Sequence, residues 1–393
     1  MRHSWKQGLA ATIASVALAG CAAVQVSAPA APVEVVQDAP RSSHWQYDAS
    51  GRPAAERDGY RPPNKLAVLL PLTGSLATAS APVRDGLLAG YYGERRRRPD
   101  LEFYDTAGTA QGAVAAYQRA IAEGADQVVG PLGRDEVDAV FVQTAPTVPL
   151  LALNRAGTPP LNAASYALAP EDEGRGAADF LAARNALRVL VLSSGDDSAR
   201  RSIDAFTTRL QAHGGSVVQL LAVVGDGPAD MTALMQGALQ REGGVDAVFM
   251  ALRGPQARLV APQVAAAGLA TRPRVATSQI MSGTGKAGED AALDGIAFPS
   301  DAWSVTGVPG LPSADSVASS LPTARGPAAR LFAFGYDAWL LTAYLEHLAM
   351  SPEASVGSAS GTLRMDGDGN VLRSPAWSTF SGGNVVPLAG AGG

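Results

Sequence analysis

Lys65-Leu66-Ala67-Val68-Leu69-Leu70-Pro71-Leu72-Thr73-Gly74 decides the fold. Its apolar run never alternates with polar residues, so the strand it forms must be covered on both faces. Pro71 and Gly74 close it. The period then changes. Pro82 suits a first helical turn, and Val83, Leu87, Leu88, Tyr91 and Tyr92 make one apolar stripe. Leu101 to Tyr104 reads as the next strand, and Val114, Tyr117 and Ile121 mark the next helix. Gln127 to Val129 is a strand ending in Gly130-Pro131. Val137, Val140 and Phe141 mark a helix, and Pro149 to Leu153 a strand. Strands and helices that alternate through short loops predict a parallel sheet flanked by helices.

The pattern restarts at Leu187 to Leu192, a strand, followed by a helix on Ile203, Phe206 and Leu210. Val217 to Val224, Ala247 to Leu252 and Arg274 to Thr277 read as strands, with a helix on Met231, Leu234, Met235 and Ala238 between the first two. Leu331, Phe334, Ala338, Leu341, Leu345 and Leu348 form a long amphipathic helix. Leu363 to Met365, Asn370 to Leu372 and Trp377 to Phe380 read as a small antiparallel set around Asp366-Gly367-Asp368-Gly369. The order predicts an α/β body over 64–393 with two lobes, each a parallel sheet flanked by helices. The first is expected at about 64–160 with C-terminal returns at about 331–390, the second at about 161–330. Ligands in such sheets bind outside the carboxyl ends of the strands, here in a cleft between the lobes.

Ahead of the body, Arg2, His3 and Lys6 make a basic head, and Gly8 to Ala19 an apolar run. That run is shorter than the roughly 20 residues a membrane span needs. It ends in Leu18-Ala19-Gly20-Cys21, small residues before the chain's single cysteine. Residues 1–20 are expected to be an export signal, cut before a lipidated Cys21. With one cysteine, no disulfide can form within the chain, so stability rests on the core. Removing 1–20 takes Arg2 and Lys6 away and moves the formal charge from −5 to −7. A general nucleic-acid binder needs a basic face, so nucleic acid is excluded as a partner. Residues 22–63 carry Pro29, Pro32, Pro40, Pro53, Pro62 and Pro63 with no apolar period. They read either as a tether with a reach of about 35 Å or as an arm packed on the body through His44, Trp45 and Tyr47.

Residues 66–74 resemble the first strand and loop of type I periplasmic binding proteins. Val83-Arg84-Asp85-Gly86, Tyr104-Asp105-Thr106, Val128 to Leu132 and Leu151 to Asn154 resemble the penicillin-binding protein activator family, LpoA. Phe334-Gly335-Tyr336-Asp337-Ala338 and Gly361-Thr362-Leu363 continue the likeness. It implies a type I periplasmic-binding-protein-like fold and an outer-membrane lipoprotein that is not an enzyme. Such a protein would bind and activate a class A bifunctional peptidoglycan synthase in cell-wall synthesis. Longer members carry a helical-repeat domain ahead of this one; here the tether precedes it, so the chain reads as a short form. Ala22 after the cysteine, in place of Asp, points by resemblance to the outer membrane. A receptor for a small amino acid or peptide is the alternative.

The loops after the strands supply the candidate cleft residues: Thr73 and Ser75, then Leu132, Gly133 and Arg134, then Asn154 and Arg155. In amino-acid receptors such loops offer hydroxyls and backbone N–H groups to a ligand carboxylate. The other reading is that these loops only close the lobes. Arg95 to Arg98 read either as a solvated helix end, where cations favour the dipole, or as a docking patch for an acidic partner or glycan, peptidoglycan included. Chemistry is not encoded. His44, His213 and His347 are scattered without metal-ligand spacing. Gly283-Thr284-Gly285-Lys286 lacks the glycine expected at 280 and is followed by Ala287, so it is no phosphate loop. Asp366, Asp368 and Asn370 open like a calcium loop, but Val371 and Trp377 stand where Gly and Glu are needed. No cofactor and no metal are expected.

Overall fold

A computed structural model describes residues 44–45, 51–225, 229–281 and 286–388. The export signal, Cys21, most of the tether with Tyr47, and Gly283 to Gly285 lie outside the described residues. β1 (Lys65–Leu70) sits inside a five-stranded parallel sheet with β2 (Asp100–Asp105), β3 (Gln127–Val129), β4 (Leu150–Ala152) and β5 (Ala163–Ser165), in the order β2-β1-β3-β4-β5. Leu66 to Leu70 are fully buried, as an unbroken apolar run requires. Leu66, Val68 and Leu70 face one helix layer, while Ala67 and Leu69 face the other. Those layers are built from α1 (Ala77–Gly93), α2 (Ala110–Ala122) and α3 (Arg134–Gln143) together with a late helix described below.

After β5 the chain crosses to the second lobe. There α4 (Pro170–Ala182), β6 (Arg188–Ser193), α5 (Asp197–Ala212), β7 (Ser216–Ala222), α6 (Thr232–Leu239), β8 (Ala247–Ala251), α7 (Gly254–Val264), β9 (Arg274–Ala276), α8 (Ala287–Asp290) and β10 (Ala297–Ser300) follow. The chain returns through α9 (Ala302–Val305) and α10 (Ala314–Ser320) into α11 (Pro327–Met350). It then forms β11 (Val356–Gly357), β12 (Thr362–Met365) and β13 (Val371–Ser374), a small antiparallel sheet on the first lobe, and ends in β14 (Ala376–Ser381) and β15 (Asn384–Pro387). The second sheet runs β15-β14-β10-β9-β8-β6-β7.

Three expectations need correction. Trp377 to Phe380 does not return to the first lobe. It is β14, which pairs antiparallel with β10 and extends the second sheet. Aromatic packing explains this: Trp377 stacks on Phe180 at 4.5 Å and Phe380 meets Phe298 at 5.0 Å, both in the second lobe. The boundary at 161 is also too early. Ala163 to Ser165 is an edge strand of the first sheet, too short and small-residued to be read as one. Third, the stretch before Asn64 is not all tether. Trp45 is buried in the first-lobe core, and Asn162 N–H donates to the His44 carbonyl. Arg52 pairs with Asp126 at 2.9 Å, and Arg61 with Glu346 at 2.7 Å. Tyr60 is 2% exposed and donates to the Arg97 carbonyl. Large aromatic area and charge pairs hold these residues in place. Asn64, Asp126 and Asn162 precede β1, β3 and β5, so this arm lies on the amino edge of the first sheet, away from the cleft.

The arm also engages two members of the arginine run, Arg96 and Arg97, while Arg95 stays exposed at the helix end. The Arg96 guanidinium lies 3.6 Å from the Tyr60 ring centroid and pairs with Glu94 and Asp58. Arg97 donates to the Pro62 and Pro63 carbonyls, and Arg98 stacks on Tyr91.

α11 carries the first lobe's second helix layer, and it touches α1 backbone to backbone. A methyl on Gly86 would lie 1.9 Å from the Phe332 carbonyl oxygen, and one on Gly335 would lie 2.0 Å from that of Val83. Only glycine allows this approach. Gly86→Ala and Gly335→Ala should each lower stability by about 1–3 kcal/mol through overpacking, read as a lower urea midpoint. Gly237→Ala in α6, where nothing lies within 4 Å, should leave it unchanged or raise it. Equal midpoints for all three would contradict this packing.

Candidate functional site

The cleft is built from the carboxyl ends of the first-sheet strands and of β6, β8 and β9. Its backbone donors are already engaged by the chain's own carboxylates. Asp105, at the end of β2, accepts from the N–H groups of Leu72 and Thr73 and from the Thr73 hydroxyl, at 2.9, 3.2 and 2.7 Å. Burial pushes its carboxyl up, but the bonds from Thr73, Ala107 and Leu72 outweigh that and hold it below the usual range. Glu136, 1% exposed, reaches back from α3 and takes the Gly133 N–H at 2.6 Å. Burial pushes its pKa up. In the second lobe, Asp196 caps α5: it accepts from Ala199 N–H and the Ser194 hydroxyl and pairs with Arg253. At three of the strand ends, groups that a ligand carboxylate would seek thus have an internal acceptor in Asp105, Glu136 or Asp196.

The sequence-derived candidates therefore divide. Leu132, Asn154 and Arg155 line one cavity of about 210 Å³ with Leu153, Leu331 and Phe334. Asn154 donates to the Leu132 carbonyl at 2.9 Å, and Arg155 donates to Asp172 at 3.0 Å and to the Val371 carbonyl at 2.8 Å. Thr73, Ser75, Gly133 and Arg134 do not line it. Thr73 and Gly133 serve the caps just described, while Ser75 and Arg134 are exposed. Among the described residues, no group of three or more His, Cys, Asp or Glu could hold a metal ion, and no helix is long and apolar enough to cross a membrane.

Sequence reasoning missed the buried charges between the lobes. Glu173, on α4 and 5% exposed, accepts from the Ser278 N–H and hydroxyl at 2.9 and 2.7 Å. Arg330 of α11 donates to it, and Arg373 of β13 lies 3.8 Å away. Burial pushes the Glu173 carboxyl up, but Arg330, Arg373 and Ser278 hold it below the usual range. Neighbouring Asp301 is raised by burial. In the sequence, Glu171-Asp172-Glu173 after Pro170 looks like the ordinary acidic first turn of a helix. The one available signal was Asp337, an acid next to the apolar stripe of α11. It accepts from Tyr166, Ser358 and the N–H groups of Ala359 and Ser360.

A family model described as LppC putative lipoprotein matches residues 60–383. A "Penicillin-binding protein activator LpoA" of Vibrio antiquarius is 28% identical over 354 residues, covering 80% of this chain and 57% of that protein. One from Photobacterium profundum is 26% identical, covering 83% and 57%. The chain thus spans little more than half the length of these relatives. Among solved structures, the LpoA C-domain from Haemophilus influenzae, titled a regulator of PBP1A, superposes with a TM-score of 0.68 at 22% identity, over 83% of this chain and all of that one. A putative branched-chain amino acid ABC transporter structure from Chromobacterium violaceum superposes with a TM-score of 0.65 at 27% identity, over 80% and 99%. The fold is the two-lobed one of type I periplasmic binding proteins.

Asp337 gives this region a pH signature. Burial outweighs the four hydrogen bonds it accepts and pushes its pKa up to about 6 from 3.8. The folded state thus binds this proton more tightly than the unfolded chain. The group's contribution is complete below about pH 4 and is lost as pH rises through about 6. Relative to Asp337→Asn, which cannot titrate, wild-type stability should fall by up to about 3 kcal/mol between pH 4 and 7. Urea midpoints at pH 4, 5, 6 and 7 measure it; a constant difference would refute it.

Proposed function

The chain belongs to the LppC putative lipoprotein family, and from that membership we propose that it is a lipid-anchored, non-catalytic regulator of a class A bifunctional peptidoglycan synthase. Residues 1–20 direct export and Cys21 carries the lipid. Several acyl chains at about 0.8 kcal/mol per buried methylene hold such an anchor firmly. Ala22 sends the protein to the outer membrane, with the body in the periplasm. His44 and Trp45 of the arm lie on the amino edge of the first sheet.

The observation that carries this reading is the internal use of the cleft's donors. Asp105, Glu136 and Asp196 occupy the N–H and hydroxyl groups that an amino-acid receptor keeps for its ligand. On this reading the body acts through its surface. Binding activates a synthase only through higher affinity for the active form, and a tenfold preference corresponds to about 1.4 kcal/mol. The receptor reading keeps one observation in its favour, the 210 Å³ cavity beside Arg155.

The test is the purified cognate synthase with lipid-linked precursor. Saturating protein should raise glycan polymerisation, crosslinking or both severalfold. Unchanged rates for both reactions would refute the proposal.

A further inference from the structure

We propose that the two lobes are held at one fixed angle by a buried ionic latch centred on Glu173, so that the cleft does not open and close. The inference goes beyond the regulatory reading and does not depend on it.

The chain passes between the lobes three times, at 166–169, 301–326 and Pro375. Three connections alone form a hinge, and hinges absorb the motion in their few linking residues. Here the hinge is crossed by charges that belong to opposite lobes. Glu173 sits on α4, which packs in the second-lobe core through Ala177, Ala178 and Leu181. Ser278, just after β9, fixes its carboxylate from that same lobe. Arg330 and Arg373 come to it from α11 and β13 on the first lobe. A second link lies beside the first. Arg155, after β4 in the first lobe, donates to Asp172 of α4 and to the Val371 carbonyl.

The first-lobe partners are themselves fixed. Asp337 gathers Tyr166, Ser358, Ala359 and Ser360, and Arg373 donates to the Ser360 carbonyl at 3.3 Å. The Arg373 side chain is 1% exposed, and its Nε and Nη2 have no hydrogen-bond partner. Its charge is therefore balanced by Glu173 across the lobe boundary. A swing of the lobes would take Arg330 and Arg373 away from Glu173 and strand three ions in a partly dry space. Asp301, half-buried in the second crossing, feels both arginines. A buried ion set of this kind need not add stability, since apolar substitutes of similar volume often hold a core as well; in this proposal its role is to fix one geometry.

The test uses distances between spin labels on the full mature chain. Cys21 is the only cysteine, so Cys21→Ser gives a background for Gln118→Cys on α2 and Asp204→Cys on α5, both exposed helical positions in different lobes. The latched protein gives one narrow distance distribution. Glu173→Gln should broaden it or add a second population of a tenth or more. Arg201→Gln removes the Glu171 pair within the second lobe and should leave it narrow. A broad or two-peaked distribution for the unsubstituted protein would overturn the proposal. So would a folded Glu173→Gln protein with the same narrow peak. If Glu173→Gln does not fold, Arg330→Lys keeps the charge but loses the forked donors. A broadened peak then supports the latch, and an unchanged one overturns it.

Discussion

Glu173 can stay ionised in the interior only because two lobes bring Ser278, Arg330 and Arg373 to it. Isolated, a carboxylate at that depth would be driven to its neutral form. The requirement reaches outward. It fixes the start of α11 against α4 and fixes the loop after β9. Through Arg373 and Ser360 it involves the Asp337 cluster, and through Asp337 the loop that joins β11 to β12. The first-lobe core then depends on α11 being where it is, since Gly335 and Gly86 let it approach α1 at backbone distance.

The same economy of polar groups appears in the cleft. Backbone N–H groups at the carboxyl ends of parallel strands and at helix starts are the natural seats for an anionic ligand. In this chain Asp105, Glu136 and Asp196 occupy them. In a fold that can close on a ligand, three of the anion seats are thereby taken up by the chain's own acids, while the 210 Å³ cavity beside Arg155 stays open. That is the physical sense in which a receptor-like architecture and the regulatory reading are compatible. The receptor fold supplies the two lobes, and the chain's own acids remove the need for a guest.

Much of this was legible in the sequence, for identifiable reasons. β1 and its partners announce themselves because burial on both faces leaves no room for polar alternation. α11 does so because its stripe from Leu331 to Leu348 runs for about five turns. The loops carrying Thr73, Gly133 and Asn154 follow from strand ends. What escaped depends on partners distant in the chain. Ala163 to Ser165 is a strand only because β4 lies beside it. Trp377 to Phe380 joins the second lobe because Phe180 and Phe298 await it there. Trp45 is one of the residues on which a packed arm can be read, but Tyr60 looks like a linker residue until Arg96 and Tyr344 are placed around it. Glu173 shares the pattern of a surface helix cap, and only the opposing arginines, more than 150 residues away, make it a buried ion.

Asp105, Glu136 and Asp196 already hold donors that a cleft ligand would need, which is the basis for a body that acts through its surface. Thermal unfolding of the purified protein across a panel of amino acids and muropeptides tests it most directly. A ligand at a hundred times its dissociation constant would add about 2.7 kcal/mol and raise the midpoint by several degrees. The account predicts an unchanged midpoint for every member of the panel. A saturable rise with any one of them, abolished by Arg155→Ala, would contradict it.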